Sequence, residues 1–234
     1  MRLIASHNFY VEQAQKRLLS QFQNMEAESH KYGEEWLNSR SYYFDPDRHD
    51  PASFYEQAYD ESIGFYQMLE DMLNRTRLSV VAGIFHEWDK QLRSWIIAEI
   101  NHWHNGDEIK RAIWKVNFEQ IIDFLESIEF PVRSQKYYIP LNKCRLVVNA
   151  YKHGDGCAFE SIKSLYPEFI NTFGNTHHAI HTDLKVDSSH ITEFSDAIIE
   201  FWKNVPEYVY EKNSLNIPDW FAKAYVKDQS DKPR

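Results

Sequence analysis

Read as a helix, residues 141–153 bring Asn142, Arg145, Asn149, Lys152 and His153 into one stripe about 100° wide. Arg145 and Asn149 are one turn apart, as are Asn149 and His153, so neighbours along the stripe can touch. A guanidinium forks onto two phosphate oxygens, and an imidazole moves protons near neutral pH. His153 falls in the last turn, where the negative end of the helix dipole favours its charged form by up to about 1 kcal/mol. Such a set could bind or cleave a phosphodiester. A solvated helix face has the same pattern, and the pattern alone leaves both readings open.

The stripe needs a helix with an apolar back and a firm stop. Leu146, Val147, Val148, Ala150 and Tyr151 cover most of the other side, and Gly154-Asp155-Gly156 ends the run. The rest of the chain reads as helices too. Residues 8 to about 38 carry apolar residues at mixed helical spacing. Asp50 and Pro51 form an N-cap and first position for a helix reaching about Arg75. From Leu78 to about Trp103, Leu78, Val81, Phe85, Trp88, Leu92, Trp95, Ile96 and Ile100 recur at steps of three and four, one buried face that Gly106 terminates. A shorter helix spans about Asn117 to Ile128, with Pro131 beyond it. Ala158 to Tyr166 is helical, and 174–187 is loop with a short extended piece at 184–186. Ser188 or Ser189 caps a last long helix carrying Ile191, Phe194, Ile198, Phe201 and Trp202. The tail from Lys227 is polar and frayed. The expectation is an all-α, multi-helix antiparallel bundle with a decorated C-terminal region. It forms one domain over 1–234, with a core bundle about 50–205 and a C-terminal aromatic tail over 206–226.

Composition narrows the classes. Seven Gly and eight Pro in 234 residues argue against disorder and turn-rich β architecture, and 15% aromatic residues can fill a core. A net charge of −9 opposes a surface that coats nucleic acid broadly, but permits a local basic pocket. Cys144 and Cys157 are the only cysteines, too few for a disulfide framework or a zinc site of usual spacing. The N-terminus lacks a signal-peptide core, and no window approaches the roughly 18 apolar residues of a membrane span. The expected compartment is the cytoplasm of a bacterial cell.

The segment Arg145-Leu-Val-Val-Asn-Ala-Tyr-Lys-His153, followed by Gly-Asp-Gly, resembles the signature of the HEPN superfamily. Residues Val81–Trp95 resemble the earlier bundle helix of such proteins, with a small residue, an aromatic and an acid toward the motif helix. The likeness covers roughly residues 60 to 155. It implies a helical bundle and a metal-independent, cofactor-free endoribonuclease of bacterial defence or toxin–antitoxin growth control. It also implies a homodimer or hetero-complex that pairs motifs, with RNA and a protein partner from the same operon. In that scheme His153 is the acid or base on a ribose 2′-hydroxyl, Arg145 stabilises the phosphorane-like charge, and Asn149 and Lys152 orient the phosphate. The chain departs from the family in placing seven residues between Arg145 and His153, a longer interval than usual, and in setting the motif at a helix end.

Other clusters are weaker. His102, His104, His177, His178 and His181 could suggest a metal site, but no His-Glu-x-x-His spacing occurs, and solvated histidines are the plainer reading. Glu87 with Asp89, and Asp123 with Glu126, read as surface charge. The late aromatics Phe201, Trp202, Tyr208, Tyr210, Trp220 and Phe221 read as core or as a partner patch. Two functions therefore stand: an RNA-cleaving enzyme using Arg145 and His153, or a non-catalytic helical subunit that docks on a larger complex through an aromatic surface.

Overall fold

The computed structural model describes residues 2–171, 176–206 and 216–230. Among them the regular structure is helical: α1 Arg2–Arg17, α2 Met25–Arg40, α3 Pro51–Asn101, α4 Asp107–Lys115, α5 Phe118–Ser127, α6 Tyr138–His153, α7 Cys157–Leu165, α8 Ser188–Lys203 and α9 Asp219–Ser230. The described residues form no strand; Ile170 and Leu184 make an isolated antiparallel bridge, at the extended piece expected near 184–186.

The helix α3 is the axis of the molecule. Its N-cap is the expected one, Asp50 accepting from the Ala52 N–H at 3.1 Å with Pro51 at the first position. The two helices expected either side of residue 76 are one run of 51 residues, roughly 77 Å long. No Gly or Pro interrupts residues 65–82, and Thr76 donates its hydroxyl to Met72 O within the helix. Its second half carries the apolar face read from sequence: Leu78, Val81, Phe85, Trp88, Leu92, Ile96 and Ile100 are buried among α4, α5, α6, α7 and α8 residues of one core.

Its first half does something else. The core cluster contains no residue between 20 and 77. There α3 packs along α2, and the residues buried in this pair are all small: Ser29, Gly33, Ala58 and Ser62. A Cβ on Gly33 would lie 2.9 Å from the Ala58 carbonyl oxygen and 3.0 Å from Ser62 Cβ, so the two backbones are as close as a glycine allows. Tyr32 stacks on Phe65 at 4.5 Å beside this seam. The result is a two-helix arm standing off the body. Asn74 marks its base, donating to Leu184 O at 2.8 Å and accepting from the Val186 N–H at 3.1 Å.

The single N-terminal helix expected over 8–38 is two helices. Ser20 donates its hydroxyl back to Lys16 O at 2.7 Å, and residues Leu19–Phe22 wind as a 3-10 turn. The break lets α1 lie on the body against α3 and α8 while α2 leaves with the arm. His7 of α1 is buried and shares a 2.9 Å hydrogen bond with Ser195 of α8.

Gly106 does not simply end a helix: it is the N-cap of α4, whose Ile109 and Ile113 are fully buried. Both ends of this nine-residue helix are satisfied from far away in the chain. At its C-terminal end the buried Arg93 guanidinium of α3 donates to the Ile113 and Val116 carbonyls and pairs with Asp89 at 2.9 Å. At its N-terminal end Asp228 of α9 accepts from Glu108 N–H at 2.9 Å and Ile109 N–H at 3.1 Å, and meets His104 Nε2 at 3.2 Å. Positive charge at one terminus and negative at the other match the helix dipole. Residues 227–230, part of the tail expected to fray, are therefore helical, and Asp228 is buried; residues 231–234 of that tail lie outside the described residues. The cap of α8 is Asp187, not Ser188 or Ser189; its carboxylate accepts from the Ser189 and His190 N–H groups.

Candidate functional site

The polar stripe lies on α6 as expected, with Leu141, Cys144, Leu146, Val147, Val148 and Ala150 buried behind it. Burial pushes the Cys144 thiol far up, so it is an inert core residue. Gly154 closes the helix at φ 71°, donating to Ala150 O at 2.9 Å, a conformation glycine adopts without strain.

The stripe's residues divide. Arg145 is only partly exposed and is already engaged. Its Nε and Nη donate to Asn142 Oδ1 at 3.0 and 2.7 Å, its Nη lies 3.3 Å from Glu119 of α5, and its guanidinium sits 5.4 Å over the Phe118 ring. His153 lies two turns on, roughly 12 Å along the axis, and is exposed. His153 and Asn149 line one shallow depression with Gly154, Gly156, Cys157 and Ala158; Arg145 and Lys152 are not among its walls. The Lys152 charge is felt on α3, where burial first and that charge second hold His86 below its ordinary pKa. The monomer thus brings Asn149 and His153 together and keeps Arg145 apart, tied to α5.

Past the stop, Asp155 accepts from His181 at both its backbone N–H, 2.7 Å, and its ring Nδ1, 3.0 Å, and the ring's hydrogen bond is the main reason the Asp155 carboxyl sits below its usual range. This pair fastens the 176–184 segment to the end of α6. Among the described residues no group of three or more His, Cys, Asp or Glu side chains is placed to hold a metal ion, and no helix is long and apolar enough to cross a membrane.

The late aromatics are mainly core. Phe201 and Phe221 are buried, Trp202 and Trp220 pack against the core, and Tyr208 and Tyr210 lie outside the described residues. Exposed apolar side chains occur on the body, among them Phe9, Trp103, Trp114, Ile139 and Leu165, and seven more sit on the arm. Tyr42 and Tyr43 at its tip, and Tyr55, Tyr59, Ile63, Met68 and Met72 along α3, are all more than a third exposed. On the helix, Tyr55, Tyr59 and Ile63 line one flank of the α2 seam and Met68 and Met72 the other. Periodicity could not separate these from core positions, because the same spacing serves a face buried in the body and a face waiting for a partner. A usable signal was the run of small residues Ser29, Gly33, Ala58 and Ser62, which limits how much of each helix its neighbour covers. No protein family, curated protein or solved structure matches this chain.

Proposed function

We propose that this chain is a non-catalytic helical subunit that docks on a partner protein through the α2–α3 arm. One observation carries the reading: seven large apolar side chains stay in water on an arm that contributes nothing to the core. On one flank Met68 joins Trp36 and Phe65 around a groove, and exposed apolar surface of this kind marks interaction sites. The body supports the arm through continuous helix, since α3 runs from the arm into the core without a hinge residue. The test is a combined Tyr55→Ser, Tyr59→Ser, Met68→Ser and Met72→Ser variant. Wild type should elute from its own cell extract in a complex of defined mass, and the variant should elute alone with unchanged helicity. A wild-type chain that stays solitary in that extract would contradict the reading.

A second reading is the HEPN-like, metal-independent endoribonuclease of bacterial defence or growth control. It is favoured by Asn149 and His153 sharing a depression at the end of α6. There His153 would take the proton of a ribose 2′-hydroxyl, and that oxygen would attack phosphorus as the 5′-oxygen leaves. Because Arg145 is about 12 Å along the helix from His153, a symmetric second copy would have to supply the charge that faces the phosphorane. RNA fragments ending in cyclic phosphate, lost in His153→Ala, would support it; cleavage that survives this substitution would refute it.

A further inference from the structure

We propose that the groove between α2 and α3 on the arm takes a lysine- and arginine-rich amphipathic helix of the partner protein. This rests on the docking reading and adds the place and the chemistry of what docks.

The groove has a volume of about 530 Å³. Trp36, Phe65 and Met68 give it apolar walls, and Asp60 and Glu61 give it an anionic rim. Gly64 leaves it open: a Cβ there would meet nothing within 4 Å. An apolar channel with carboxylates beside it is complementary to a helix with one apolar face and one cationic face. The exposed Met68 and Met72 thioethers are flexible and adapt to differently shaped apolar partners. The first 23 residues of α3, roughly 35 Å, offer room for several turns of a helix alongside.

Charge selects among occupants. Residues 25–73 hold twelve of the 35 acidic residues and three of the 26 basic ones, a net −9 equal to that of the entire chain. The remaining residues balance at zero, with Arg75 and Arg77 first among them at the arm's base. The net negative charge of the protein is thus carried by this arm. A second copy would bring a like-charged arm against it, and nucleic acid or an anionic membrane would be repelled in the same way. A cationic helix is attracted, steered and neutralised.

The test uses the full chain and a synthetic Leu/Lys helix of roughly 18 residues, amphipathic by design. Its controls are the same composition scrambled to remove the faces, and a Leu/Glu counterpart. Fluorescence anisotropy should show the Leu/Lys helix binding at least about tenfold tighter than either control, and weakening as NaCl rises from about 50 to about 500 mM. Gly64→Leu puts a side chain into the groove from a position whose Cβ meets nothing within 4 Å, and it improves helix propensity, so it should keep the fold and weaken binding by at least about tenfold. Equal binding of the scrambled peptide, or binding unchanged in Gly64→Leu, would overturn the proposal. So would a dimer, or attachment to phosphatidylglycerol vesicles, that Gly64→Leu abolishes. A photo-crosslinker at position 68 in the native cell separates the two claims. A captured partner whose contacting segment is neutral or acidic overturns the cationic helix and leaves docking standing, whereas no captured partner removes both.

Discussion

Asp228 closes the N-terminus of α4 from about 120 residues away, and removing its carboxylate should loosen both helices. The carboxylate accepts two backbone N–H groups at 2.9 and 3.1 Å and meets His104 Nε2 at 3.2 Å, all with little access to water. Hydrogen bonds to a charged group contribute about 1.5–3 kcal/mol each, and the loss of a helix cap alone costs about 0.5–2 kcal/mol. The three bonds are coupled and not additive, so Asp228→Ala should cost about 3 kcal/mol in all. For a chain of this size that is a fall in Tm of roughly 6–12 °C. Burial raises the Asp228 carboxyl, but the two N–H groups and His104 outweigh it and hold its pKa below the ordinary value. Its stabilisation is therefore complete above the unfolded carboxylate range, near pH 4, and fades as pH falls through the depressed native value. Urea unfolding of wild type and Asp228→Ala at neutral pH and in acid measures this. The difference should be large at pH 7 and shrink on acidification, while amide exchange of Glu108 and Ile109 accelerates in the variant. A difference below about 0.5 kcal/mol at pH 7, within the range of ordinary surface substitutions, would refute the reasoning.

Arg145→Ala should lose about 1–2 kcal/mol, since it forfeits the Asn142 and Glu119 contacts and the stack on Phe118, whereas His153→Ala should stay within about 0.5 kcal/mol. Equal stability of Arg145→Ala and wild type in urea would show the guanidinium free for a ligand. Gly33→Leu should force α2 off α3 at about 1–3 kcal/mol, read as roughly ten- to hundredfold faster hydrogen exchange over residues 25–40 with the body unaffected; unchanged protection there would contradict the close seam. Burial holds His7 below its ordinary pKa against the Ser195 hydrogen bond and the Asp196 charge, so below about pH 6.5 the unfolded chain binds more protons and stability falls. His7→Gln should flatten that slope, and an unaltered slope would assign it to other groups.

How far the sequence could be read depended on how local each signal was. The Leu78–Ile100 face, the Asp50-Pro51 start and the Gly154 stop are settled within a few residues, and they stand where the spacing put them. The helix α4 had local signals, acids Asp107 and Glu108 in its first turn, Ile109 and Ile113 one turn apart and Lys115 in its last turn, but Gly106 read as an ending when it is a beginning; only its distant caps, Arg93 and Asp228, were beyond the sequence. The polar tail concealed the same fact from the other side: nothing near Asp228 in sequence shows what it binds. The stripe on α6 was visible, but the commitment of Arg145 to Glu119 is a contact between helices. The arm was the least legible part, for its exposed tyrosines and methionines have the spacing of a core.

The central claim is that the arm, and not the polar stripe, is the working surface. Full-length chains carrying a photo-reactive residue at position 68 or at position 153, each made in the native cell and analysed by mass spectrometry, test it most directly. Position 68 should join one partner protein in high yield while position 153 joins none. RNA joined at position 153, with nothing captured at position 68, would contradict the claim.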